Sequence, residues 1–169
     1  PSKDSKANGM AERAVGEVQG KMRAIQISLE ERLGIKVDSR ELIVAWIPDY
    51  ATYLMNRLIE GDDGKVAFER SRGKRPSVLG IEFGEKVLYK LKKKGRDLAK
   101  LGKRWNHGIF VGIRKRSNEI MVATKEGICY SREIKRIPVE NRWTKDSLEW
   151  VKWVPWNKFK EDPEADGIV

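Results

Sequence analysis

Near residue 80 the spacing of apolar side chains changes from a helical period to a strand period, and this switch divides the chain into two parts of different architecture. Upstream, Ala11, Val15, Val18, Met22, Ile25, Leu29 and Leu33 recur every three or four positions, which sets them on one stripe of an α-helix over residues 9–33. Asn8 stands where an N-cap belongs, and Gly34 where a left-handed C-cap residue belongs. A second helix is expected from Asp38 or Ser39, because Asp38 and Glu41 have capping-box spacing and Ala45, Trp46, Tyr53, Leu54 and Leu58 supply an apolar face. Pro48 falls inside it. A proline lacks the amide donor and clashes with the preceding turn, so a kink or two shorter helices is predicted there. Gly61-Asp62-Asp63-Gly64 reads as the turn that ends it, a short helix fits residues 66–72, and Gly73-Lys74-Arg75-Pro76 opens a linker over 73–84.

From Gly84 onward apolar residues alternate. Residues 86–91, 105–113, 119–124 and 128–133 are candidate strands, separated by breaks at Gly95, Gly102, Ser117-Asn118 and Gly127. Short strands at close spacing with turn signals between them predict a small antiparallel barrel. Residues 138–169 form a Trp-rich extension with an acidic end, in which residues 146–150 fit one helical turn before Pro155. Its tryptophans are read as packing against the barrel, since large aromatics mostly serve burial. The expected fold class is therefore α+β: helices over 1–72, then a β-barrel over 85–137.

Charge separates the same parts. Residues 1–80 hold 14 basic and 12 acidic side chains, residues 86–136 hold 16 and 4, and residues 161–169 hold four acids and no base. So dense a positive segment repels itself and calls for a polyanion partner. One cysteine, Cys129, and one histidine, His107, exclude an internal disulfide and a zinc site built from Cys and His alone, which needs about four such ligands. The expected compartment is reducing, cytoplasm or nucleus. No apolar run reaches the roughly 20 residues of a membrane span, so no membrane partner is expected. The chain starts on Pro1 rather than Met and is read as a fragment or processed product. His107 is read as structural and Cys129 as an inert buried thiol.

Three segments, in order, resemble one family. Asn8-Gly9-Met10-Ala11-Glu12-Arg13 is similar to the N-G-x-A-E-R signature of integrases from copia-type LTR retrotransposons. Ala51-Thr52-Tyr53-Leu54-Met55-Asn56-Arg57 resembles their A-x-Y-L-x-N-R segment, and Phe68-Glu69 with Gly73-Lys74-Arg75-Pro76 and Phe83-Gly84 resembles the stretch leading into an SH3-like barrel. Gly108-Ile109-Phe110-Val111-Gly112 and Ser131-Arg132-Glu133 fit that barrel's F-x-G and S-R-D segments. Phe68 stands for the family's Tyr and Ser71 for its Trp, and the Trp-rich end has no counterpart in the common pattern.

The resemblance implies a helical C-terminal portion of an incomplete ribonuclease H-like core followed by an SH3-like barrel. It implies that the parent enzyme joins element DNA to target DNA by metal-dependent phosphoryl transfer, as a homo-oligomer. Two aspartates and a glutamate would hold two Mg²⁺ (or Mn²⁺) ions there. Glu12 is the third carboxylate by this resemblance; by position alone it is a surface glutamate favouring its own helix start. The two aspartates are missing, so the chain alone is expected to be inactive and to bind no metal tightly. Double-stranded DNA is the expected partner. Candidate phosphate contacts are Arg13, Lys21 and Arg23 beside Glu12, then Lys92, Lys93, Lys94, Arg96, Lys103, Arg104, Arg114, Lys115, Arg116, Arg132, Lys135 and Arg136 in or beside barrel loops. Two other readings fit the charge pattern. One is a domesticated, non-catalytic module that binds DNA, RNA or chromatin. The other is a pure interaction protein docking through its tryptophans.

Overall fold

The computed structural model describes residues 2–90 and 104–157, and the side chains of these except 2–8 and 10. The chain divides into two compact units, one made of residues 1–37 and 47–80, the other of 38–46 and 81–169. The return at residue 80 falls within the expected linker. The excursion of 38–46 into the second unit has no counterpart in the sequence reading.

In the first unit, helix α1 (Ser2–Leu33) packs against α2 (Ile47–Leu58), which packs against α3 (Ala67–Arg72). The stripe on α1 is graded: Ile25, Leu29 and Leu33 are buried, whereas Ala11 and Val15 are exposed. Because α1 begins at Ser2, Asn8 is an interior residue and not an N-cap. Glu12 correspondingly sits well inside the helix and not in its first turn. Gly34 is left-handed as expected (φ 64°). Beyond it, the chain is fastened back to α1 by Glu30, which accepts from Lys36 Nζ at 2.7 Å and from the Val37 amide at 3.1 Å. These two donors hold the Glu30 carboxyl below the usual carboxylate range.

The break expected at Pro48 is present as two short helical pieces, a 3-10 segment, Leu42–Trp46, followed by α2. Pro48 lies in the first turn of α2, where an amide would have no partner in any case. Asp38 does not form a capping box; its Oδ1 accepts from the Arg40 amide at 2.9 Å. In the helical unit the Arg57 guanidinium lies between two rings, 4.0 Å from the centroid of Tyr53 and 4.3 Å from that of Phe68. This contact joins α2 to α3. Gly73 closes α3 in the left-handed conformation, its amide donating to Glu69 O at 2.8 Å.

The second unit is built on five antiparallel strands: β1 (Lys86–Lys90), β2 (Trp105–Ile113), β3 (Ile120–Ala123), β4 (Ile128–Ser131) and β5 (Ile134–Arg136), in the order β4-β3-β2-β1-β5. Four of them fall on the candidate strands. The fifth is three residues long, too short to show alternation, and the sequence reading did not place it. The fold is thus α+β with a five-stranded antiparallel sheet. Val87, Ile109, Phe110, Val111 and Val122 are fully buried in this sheet. At Phe110–Gly112 the β2–β3 register shifts by one residue, and Gly112 has φ 150°, a bulge that bends the long strand.

Gly108 makes the closest approach in the sheet. A methyl group there would lie 2.2 Å from Val122 Cγ1 and 2.9 Å from the carbonyl oxygen of Ala123. Gly108→Ala is therefore expected to cost at least about 1–3 kcal/mol through overpacking. A thermal melt checks this; an unchanged midpoint would show that the strands separate freely.

The Trp-rich end folds onto the second unit. The Trp46 indole N–H donates to the carbonyl oxygen of Trp153 at 2.8 Å, and Trp46 is fully buried. A 3-10 segment, Lys145–Trp150, matches the expected helical turn and packs against β2. Trp156 is the exception to the packing expectation, with 78% of its surface exposed. Cys129 is half-buried rather than buried. No helix among the described residues is long and apolar enough to cross a membrane.

Candidate nucleic-acid interface

Three groups of basic side chains stand out among the described residues of the second unit. The first is the β2–β3 hairpin. Its turn closes with the Arg114 amide donating to Glu119 O at 2.8 Å and the Asn118 amide to Arg114 O at 2.9 Å, Asn118 being left-handed (φ 54°). Arg114 is held against the hairpin by Glu119 at 3.5 Å and by the Tyr130 ring at 4.9 Å. Lys115 and Arg116 lie in the turn and are exposed. A fixed turn with cations at its tip is a natural phosphate contact.

The second group surrounds the β4–β5 junction. Arg132 is exposed. Arg136 differs from the role expected for it. Its Nε and Nη2 donate to the two carboxylate oxygens of Glu85 at 2.7 and 2.8 Å, and Glu85 is fully buried. Glu85 also accepts from the Glu82 amide at 3.1 Å and lies 3.4 Å from Arg142 Nε, which itself donates to Ile137 O at 2.7 Å. The carboxylate raises the Arg136 pKa. Arg136 is thus committed to holding the start of β1 beside β5. Glu85 lies immediately upstream of the basic stretch, but Glu82 stands three residues before it, and no local signal in the sequence marks which of the two is buried.

The third group is pinned on aromatic rings. Lys135 Nζ lies 4.4 Å above the Trp105 ring, and Lys86 and Lys125 lie 4.9 and 5.2 Å from the Trp150 ring. Of these only Lys135 was singled out by sequence; Lys86, Lys125 and both rings were read simply as strand, turn and packing residues. Arg104 enters β2 and is exposed. Lys92, Lys93, Lys94, Arg96 and Lys103 lie outside the described residues.

The α1 candidates belong to the other unit. Glu12, Arg13 and Arg23 are exposed and Lys21 is half-buried. Arg13 pairs with Glu17 at 3.4 Å. On a continuous helix Lys21 faces away from Glu12, while Arg23 returns to its side about 16 Å along the axis. No group of three or more His, Cys, Asp or Glu side chains that could hold a metal ion occurs among the described residues. One exposed carboxylate does not make a two-metal site, so the described residues do not fit the pair of divalent ions that the resemblance implies.

Compared with protein-family models, curated proteins and solved structures, the chain matches none.

Proposed function

We propose that this chain is the nucleic-acid-holding part of an integrase of the copia-type retrotransposon class, and that its own activity is binding. The observation that carries the proposal is the charge of the sequence over 86–136, 16 bases against 4 acids, together with the small antiparallel sheet formed by its described residues, whose β2–β3 turn holds the exposed Lys115 and Arg116. Strand order supports the SH3-like reading: a meander of four strands whose fifth returns beside the first is the arrangement such a barrel requires. The graded burial of α1 supports the core reading, since the exposed Ala11–Val15 stretch is the part that a core sheet would cover. Under this proposal Glu12 is a ligand of the complete enzyme, and no step of strand transfer is carried by the residues described here. The partner is double-stranded DNA, met in the cytoplasm and nucleus.

Duplex DNA binding is expected to fall steeply with salt. With about four phosphates neutralised, raising salt from about 50 to 200 mM weakens affinity on the order of 100-fold. Fluorescence anisotropy at the two concentrations measures this, and affinity that does not respond to salt sinks the reading. The exposed position of Glu12, outside any group of three or more possible metal-ligating side chains among the described residues, favours a second reading: a domesticated, non-catalytic binding module. Completing the core separates the two. If the longer protein joins DNA with Mg²⁺ or Mn²⁺ and Glu12→Gln abolishes the joining, the integrase reading stands; if the longer protein joins no DNA, the module reading replaces it.

A further inference from the structure

The loops offer phosphate contacts, but one face of the sheet offers something different. Residues paired across an antiparallel ladder point to the same side, as do residues two apart on a strand. Lys86, Leu88 and Lys90 of β1 therefore share a face with Trp105 and His107 of β2, because Lys90 pairs with Trp105 and Leu88 with His107. Lys135 of β5 joins them, paired with Leu88 on the other flank. At one end of this face Lys135 lies over the Trp105 ring at 4.4 Å. At the other end Lys86 and Lys125 lie 4.9 and 5.2 Å from the Trp150 ring. A cavity of about 530 Å³ opens there, bounded by these two lysines, Lys152, Thr144 and Trp150, with Asp146 and Glu149 also on its wall.

Two aromatic rings with attendant ammonium groups thus stand near the two ends of β1, a strand whose end residues are about 13 Å apart along the chain. A duplex keeps its bases stacked within itself and offers a protein surface mainly its phosphates and groove edges. Rings on a sheet face gain nothing from that. Unpaired bases have free π-faces, which stack on aromatic side chains, while the neighbouring lysines take the phosphates. Before any strand arrives the lysines cover the ring faces; a base stacking there displaces the ammonium group, which is then free to take a neighbouring phosphate. Asp146 and Glu149 repel phosphate and so direct the strand along β1 rather than past the Lys145–Trp150 segment.

We propose that this face, from Trp105 and Lys135 to Lys86, Lys125 and Trp150, binds single-stranded nucleic acid, separately from the loop contacts to duplex. The inference rests on the nucleic-acid reading above. Its test is anisotropy with a labelled oligothymidylate of about 15 nucleotides and a duplex of equal length, at one salt concentration. The single strand is expected to bind more tightly than the duplex. Trp105→Ala is expected to weaken it about 5- to 100-fold, the range for one lost base stack, and to leave duplex affinity unchanged. Trp105→Phe should restore most of the loss, which a role in folding alone does not predict for single-strand affinity at unchanged duplex affinity. Lys86→Gln with Lys125→Gln should weaken the single strand by a further factor without altering the near-ultraviolet circular dichroism. Duplex binding with no preference for the single strand, or equal losses for both ligands in Trp105→Ala, overturns the inference and leaves the loop reading standing. Binding of neither ligand overturns both.

Discussion

Replacing Trp46 with alanine is expected to cost about 3–5 kcal/mol, the range for emptying a buried tryptophan site. The side chain is fully buried, and its N–H satisfies the carbonyl of Trp153. Alanine therefore leaves a cavity and an unpaired acceptor together. Trp46→Phe keeps most of the volume and loses the hydrogen bond, so its cost is expected nearer 1–2 kcal/mol. Urea unfolding of the three proteins gives both numbers. Equal costs for alanine and phenylalanine would mean that the hydrogen bond, not the ring, fastens residues 38–46 to the second unit.

Glu85→Gln produces the other large effect. Removing one member of a buried ion pair costs about 3–5 kcal/mol because the remaining charge is left uncompensated. Here the lower end applies, since 39% of the Arg136 side chain reaches water and its charge is screened there. A loss of about 3 kcal/mol lowers the melting temperature of a protein of this size by roughly 6–12 °C. Arg136→Met should be milder, because Arg142 still faces the carboxylate at 3.4 Å. A Glu85→Gln protein that melts with the parent would refute the assignment of Glu85 as the anchor of β1 and β5. It would also return Arg136 to the pool of phosphate contacts.

The contrast between these residues shows what was legible in the sequence. Short apolar runs between glycine and asparagine breaks located β1 to β4: Asn118 and Gly127 supply the positive φ of the β2–β3 and β3–β4 turns, although of these strands only β1 alternates in burial and β3 is buried throughout. The period of three and four located α1, but its start was set at Asn8 by a capping residue that the helix runs through. Propensity marks places where a helix is able to begin, and neighbouring residues decide whether it does. Glu85, Trp46 and the Trp150 ring were missed for a different reason. Their partners lie far away in sequence, at Arg136, Trp153 and Lys86, and no local pattern encodes such a pairing. Among the phosphate contacts, composition identified the basic segment, but only geometry distinguishes Arg136, spent on a buried acid, from Lys115 and Arg116 at a hairpin tip.

The passage of the chain between units has a consequence during synthesis. Residues 38–46 belong with strands that are translated long after them, and Trp46 waits for a partner 107 residues downstream. At ordinary ribosomal speeds that interval is on the order of ten seconds. Until β5 is made, which takes most of that interval, Ile43 and Trp46 have no completed sheet to enter, although both end as fully buried side chains. Nascent chains halted before residue 153 should therefore be captured by holdase chaperones through this short segment, and released once the tryptophan-rich end has left the exit tunnel.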